Sequence, residues 1–491
     1  MNERVEPMTQ ASGRARRRVR AHWSSWAMLW ITTLAVLMIS IDGQIMPAVL
    51  PSIKFAYGLS NVQAGFINTI FAFASMIGAV GFGVASDLIG SGYRRGYTWI
   101  VAYALAVVGG LLTALLSGSL GWFQLLRVPM GLSRGGAEPV NVALVSDWWQ
   151  KENRGFAVGV HHTGFPIGQF LSGVLIAIVL RYGQWTDAFA LIPLIGVVII
   201  VAQLVVGTRR NQEMAFEWMR ANDLTTPTAA VGERGDFRRP MGAIKAAFRQ
   251  RNTGLAIASI FLFLVAELGI VLFLTSYLIE VAHMTVSAAA LVSGVSGLTG
   301  WVGQVVWGTL SDSLGRKRTL IVLAICCAIS TLMLLRIDSL ASAWIVLLIW
   351  GLFRNAPFPV AYAMVIDSAE RAAGAGMGLM IGIAFGVAGM VVSPLSGYII
   401  GHAGWTVHYG SLAVICLLAI VPLLFVRNSG AGCAEAVSDG SVPSLFLRRE
   451  PDVLAEHQND AAAFIARSTS VRLTSRCVTQ RMRRMAPSSP R

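Results

Sequence analysis

Five charged residues stand inside stretches that are otherwise apolar: Asp42, Arg134, Glu138, Glu267 and Arg354. An acid or arginine at the centre of a bilayer costs about 2.5–3.5 kcal/mol on insertion scales, so five would cost roughly 12–17 kcal/mol. That equals the whole stability of an ordinary domain, so such groups must face a protein interior or a wet cavity. Each guanidinium offers a planar fork of donors that suits a carboxylate or phosphate. A carboxyl group withdrawn from water holds a proton more readily than one in bulk solvent, and can take one up and release it in a cycle. The residue types point to anion binding by Arg134 and Arg354, and to proton exchange at Asp42, Glu267 or Glu138.

Their spacing is regular. Asp42 and Glu267 are 225 positions apart, and Arg134 and Arg354 are 220 apart. A plainer reading stays open, since Arg134 and Glu138 are four apart and could neutralise each other on one helix face. Asp42 could likewise pair with an arginine to close a resting cavity. Arg127 is about two helical turns before Arg134 and reaches either the cavity or the interface. Asn141 and Tyr362 are candidate hydrogen-bonders to a bound anion, as are Gln44, Asn68, Tyr277 and Gln304. The adjacent His161 and His162 either titrate near neutral pH or serve as packing residues.

The elements that must position these groups are membrane helices. The chain is 55% hydrophobic and 13% charged, against about 25% charged in soluble domains, so the solvent for most of it is lipid. Segments of roughly 20 apolar residues, long enough to span, lie near 26–50, 62–86, 97–117, 121–147, 155–180, 185–207, 254–278, 287–310, 319–337, 342–366, 373–400 and 404–426. The net charge of +14 is confined to the N-terminus, the 209–251 region, the tail and alternate short loops, without interleaved aromatics. That pattern excludes a base-stacking surface for nucleic acid and follows the positive-inside rule, with both termini cytoplasmic. The five cysteines form no framework, and the first apolar segment is too long for a cleaved signal.

The chain repeats itself. Gly83-Val-Ala-Ser-Asp87-Leu-Ile-Gly90 returns as Gly308-Thr-Leu-Ser-Asp312-Ser-Leu-Gly315, followed by Arg316, Lys317 and Arg318. Pro139 to Asp147 returns as Pro359 to Asp367, and Gly131-Leu-Ser-Arg134 as Gly351-Leu-Phe-Arg354. These duplicated motifs resemble the signature loop of the major facilitator superfamily, over roughly residues 26–426. The first copy departs from the pattern: Leu88 replaces a basic residue and Arg94 and Arg95 come late.

The resemblance implies an all-α membrane protein of twelve transmembrane helices in two pseudo-symmetric six-helix bundles. Helices 1, 4, 7 and 10 would line a central cavity, and Asp87 and Asp312 would brace a cytoplasmic gate. Within the superfamily, IDGQIMPAVLPSI in the first segment and RVPMGLSRGGAEP in the fourth are similar to the anion:cation symporters. That likeness implies proton-coupled uptake of a small organic or sugar acid by alternating access. It departs where those symporters carry an acid seven residues after the first helix 4 arginine (here Arg134) and an arginine after the helix 1 aspartate (here Gly43). Two alternatives are export by a drug or metabolite:proton antiporter and a transporter-like sensor.

The expected organisation is a basic cytoplasmic N-terminus (1–25), a bundle (26–207), a cytoplasmic central loop (208–253), a second bundle (254–426) and a disordered cytoplasmic tail (427–491). The expected setting is the inner membrane, as a monomer, with a small organic anion, protons and lipid as partners. No cofactor, metal site or catalytic residue is expected, because no nucleophile–base pair, metal-ligand spacing or phosphate loop occurs.

Overall fold

The computed structural model describes residues 20–227, 251–368, 382 and 384–426. The expectations for residues 1–19, the rest of the central segment and the tail lie outside the described residues, as do the side chains of Asp312 and Tyr362. The fold is built from helices, and among the described residues there are no strands.

The first half consists of α1 (Trp23–Tyr57), α2 (Asn61–Ile89), α3 (Tyr93–Leu116), α4 (Leu120–Trp148), α5 (Arg154–His162 continued by Gly164–Tyr182) and α6 (Trp185–Val206). The second consists of α7 (Arg251–Glu280), α8 (Val286–Ser293 continued by Ser296–Leu314), α9 (Arg316–Met333) and α10 (Leu340–Arg354 continued by Pro357–Ser368). The helical stretch Phe385–Leu418 is two crossings, because Gly404 turns the chain with φ 77°, open only to glycine at low cost. We label the part before the turn α11 and the part after it, extended by Ile420–Leu424, α12. Among the described residues the crossings thus correspond to the twelve hydropathy segments, including the charged α4, and the start of the eleventh, 373–381, lies outside the described residues.

Turn chemistry separates them. Gly58 ends α1 in the left-handed region, and Ser60 with Gln63 forms a capping box that starts α2. Each half has its own core, with Trp99, Trp148 and Trp149 fully buried in the first and Trp350, Tyr277 and Tyr409 in the second.

The halves meet through α2 against α11 and α5 against α8. Exchanging the halves turns one pair into the other, as a parallel duplication demands. Contact is close enough to require glycine: a Cβ on Gly65 would stand 2.4 Å from the Ser393 carbonyl oxygen. Asn68 donates to Ser393 Oγ at 2.7 Å, Ser287 to the Ala177 carbonyl at 2.9 Å, and Lys54 pairs with Glu280 at 3.4 Å. These contacts lie at the end of the bundle away from the two signature loops.

The central polar stretch departs from expectation. It opens with an amphipathic helix, Arg209–Ala221, where the sequence reading has a loop. Only thirteen residues long, the helix presents Ala215, Phe216 and Met219 to the protein and little apolar surface otherwise, so a hydropathy scan passes it over. Its Gln212 accepts from the Tyr93 amide at 3.0 Å, bracing the first signature loop. Further on, the Thr225 amide donates to Glu152 at 3.1 Å. Partial burial pushes Glu152 upward, yet the Thr225 hydroxyl and amide together hold its carboxyl below the usual range.

Candidate functional site

A cavity of about 380 Å³ lies between the halves. Arg134 and Glu138 reach it from α4, Glu267 from α7 and Arg354 from α10. The first helix contributes Gly43, Gln44 and Pro47. Its wall is wider than four helices: Phe71 of α2, His162 and Phe165 of α5, Trp301 and Gln304 of α8, and Phe385 of α11 complete it.

The two arginines are held very differently. Arg354 is 6% exposed and its Nε and Nη2 both donate to Glu267 Oε1, at 3.1 and 2.8 Å. Its Nη1 donates to Ser296 Oγ at 2.8 Å, and the guanidinium lies 4.4 Å from the Trp350 ring centroid. Arg134 has no carboxylate within ion-pair reach among the described residues. Its Nη1 donates to the Ile39 carbonyl, and the rings of Phe165 and Phe385 flank it at 5.2 and 5.7 Å. The charges of Glu138, Asp42 and Glu267 act on it from a distance.

Gly43 makes room for that guanidinium. A Cβ at position 43 would stand 3.0 Å from Arg134 Nη1 and 3.3 Å from its Cζ, so this tip fills the space a side chain would take.

Asp42 is not among the residues that line the cavity, although it adjoins Gly43 and is itself only partly buried. Its Oδ1 is buried without a hydrogen-bond partner among the described residues, and Arg127 and Arg134 are the cations whose charge bears on it. Arg127 lies behind the wall, 2% exposed, with its guanidinium 4.9–5.6 Å from the rings of Phe189, Phe71 and Phe123. Asn141 is fully buried and committed, accepting from Trp99 Nε1 and donating to the Thr32 carbonyl, both at 3.1 Å. The structure therefore does not bring Arg127 or Asn141 to the cavity. His162 lines it, whereas His161 is buried with neither ring nitrogen hydrogen-bonded among the described residues.

At the loop end, Arg95 binds Asp87 at 3.0 Å and Asp147 at 2.8 Å, and also donates to Ser86. In the second half Arg316 donates to Ser311, the repeat equivalent of Ser86. The late arginine of the first motif thus reaches the place its counterpart occupies. Gly90 and Gly315, with φ 123° and 89°, end α2 and α8 there. Lys317 donates to the carbonyls of Leu424 and Val426, closing the end of α12. Gly83 and Gly308 are uncrowded: a side chain at 83 would meet nothing within 4 Å, and one at 308 only Pro359 at 3.9 Å.

The aromatic walls and Ser296 escaped the sequence reading. Aromatic residues in an apolar segment look like any core residue, and a lone serine carries no charge signal.

Twelve crossings in two duplicated halves around a charged central cavity define a membrane transporter rather than an enzyme. The family model of the Major Facilitator Superfamily matches residues 32–382 and 301–451, and the chain belongs to that superfamily. A probable 4-methylmuconolactone transporter of Cupriavidus pinatubonensis is 26% identical over 311 residues, 62% of this chain and 67% of that one. A hexuronate transporter of Bacillus subtilis is 23% identical over 407 residues, 79% of this chain and 91% of that one. Among solved structures, a partially occluded inward-open conformation of the xylose transporter XylE from E. coli superposes with a TM-score of 0.63. It is 16% identical, over 83% of this chain and 99% of that one, a likeness of fold.

Proposed function

We propose that this protein takes up a small organic carboxylate together with a proton across the cell membrane, by rocking of its two bundles (26–207 and 254–426) about the central cavity. The observation that carries this reading is Arg134, a guanidinium on the cavity wall with no carboxylate in ion-pair reach among the described residues. A carboxylate binding there gains charge-assisted hydrogen bonds in an enclosed site. The flanking rings of Phe165 and Phe385, with Phe71 and Trp301, suit a compact body of low polarity behind the carboxylate. Organic acids named for relatives, such as hexuronate, support the anionic class.

Asp42 is the proton carrier in this reading. Its unpartnered oxygen stands near Arg127 and Arg134, so an arriving anion and an arriving proton both act on one charge cluster. In this reading both termini and the signature loops are cytoplasmic, and the contacts around Lys54 and Glu280 lie at the outer end. One chain contains the whole site, so a monomer suffices.

The test is uptake of a carboxylate panel into proteoliposomes under an imposed pH gradient. Arg134→Ala should lower uptake of any accepted acid by roughly 10- to 150-fold, the value of one charged hydrogen-bonding group. Undiminished uptake by that variant would end this reading.

A further inference from the structure

Among the described residues, the cavity and its surroundings hold three guanidiniums, from Arg127, Arg134 and Arg354, and three carboxyl groups, from Asp42, Glu138 and Glu267. With all of them ionised the cluster is neutral. One proton on one acid leaves a single positive charge, which one carboxylate neutralises. A dicarboxylate would bring one negative charge too many.

The receptor for that excess charge is already largely engaged. Arg354 is the second arginine on the wall, but its Nε and Nη2 each donate to a single oxygen of Glu267, and Nη1 gives one of its two N–H groups to Ser296. The Trp350 indole covers one face of the guanidinium. Glu267 itself is a wall residue with its side chain 12% exposed, so a carboxylate already stands where a second substrate carboxylate would bind.

From this geometry we infer that Glu267 is a resident carboxylate filling the anion subsite of Arg354, restricting the transporter to substrates that carry one carboxylate. This rests on the reading of Arg134 as the substrate's anchor. It makes Glu267 a specificity-determining residue, acting by occupancy and by charge. Removing its charge leaves Arg354 as a second receptor across the cavity from Arg134, fitted to the far end of a dicarboxylate.

The experiment compares acids of one body with one or two carboxylates: benzoate against isophthalate, butyrate against succinate, and gluconate against glucarate. Binding is measured by competition on the full chain in proteoliposomes. In the pair whose monoacid binds, wild type should prefer that monoacid at least tenfold. Glu267→Gln should move the ratio at least tenfold toward the diacid, and Glu267→Asp should bring it most of the way back. Glu267→Gln/Arg354→Gln should show no diacid gain, because the receptor is gone with its occupant. Melting temperatures in detergent identify any variant that fails to fold. Should Glu267→Gln fail, the neutral double variant decides: a diacid gain there overturns the inference, and retained monoacid preference supports it.

A wild type that binds diacids as well as monoacids overturns the inference, as does an unchanged ratio in a folded Glu267→Gln. Either result leaves Arg134 as anchor intact so long as monoacid binding depends on it. Failure of every acid to bind removes both readings together.

Discussion

Asp42 and Glu267 occupy equivalent places in the two halves, 225 positions apart, yet their surroundings are opposite. Glu267 lies on the cavity wall in a bidentate contact with Arg354. Asp42 is not among the lining residues, and its buried Oδ1 has no hydrogen-bond partner among the described residues. The repeat explains the difference residue by residue. Ser296, which accepts from Arg354, has Phe71 as its counterpart 225 positions earlier, and Trp350, which stacks on it, has Met130 at 220. Without a serine to hold it, Arg134 turns to the Ile39 carbonyl and to two phenylalanine rings. The acid of the first half is also one methylene shorter. One duplicated pair has become a closed ion pair, and the other an open cation beside a stranded acid. A transporter needs both a fixed framework and a group free to change partners, and under the proposed function the halves divide those tasks.

That division is broken most directly at the stranded acid. Asp42→Asn should abolish accumulation driven by a pH gradient, an all-or-none effect, while counterflow exchange continues. Full accumulation by this variant would transfer proton coupling to Glu138 or Glu267. The closed pair should respond in stability instead. Arg354→Ala leaves Glu267 as an uncompensated buried charge, a change that costs about 3–5 kcal/mol in such pairs. A melting transition in detergent within a degree or two of wild type would show that the pair holds no framework.

Much of this arrangement is legible in the sequence, and its limits have a physical cause. Hydropathy marks the twelve crossings because a bilayer demands runs of about 20 apolar residues, and repeat spacing identifies Asp42, Arg134, Glu267 and Arg354. Which partner each charge takes is set by rotamers and by neighbours on other helices, neither of which has a period. Symmetry thus predicts a clamp of Arg134 with Arg354, whereas the structure ties Arg354 to Glu267 within its own half. The same limit conceals Arg127 and Asn141, whose helix carries them to the ring cage and to Trp99 rather than to the cavity. A hydropathy average runs over all faces of a helix and has no means to tell an inward face from a neighbouring one.

Gly43 sharpens the comparison at smaller scale, because it separates the open cation from the aspartate beside it. Gly43→Ala places a methyl group 3.0 Å from Arg134 Nη1, so the guanidinium must withdraw by a few tenths of an ångström. The obstructed atom is the tip of a flexible side chain, so folding should hardly change while the affinity for the carboxylate falls several-fold, about 1 kcal/mol. An unchanged affinity would mean that Arg134 binds substrate from another rotamer.

A further comparison lies within the first half, at its loop end. Arg95 holds Asp147 with both side chains about one-eighth exposed, whereas its bond to Asp87 meets a carboxylate 49% exposed. Removing a charged partner from a mostly buried group costs about 1–3 kcal/mol, and from an exposed one about 0.2–1 kcal/mol. Asp147→Asn should therefore lower the melting temperature more than Asp87→Asn, although Asp87 is the residue the motif advertises. The reverse order would mean that the Asp87 contact strengthens in a state closed at this end. The ranking then becomes a probe of which conformation the purified protein prefers.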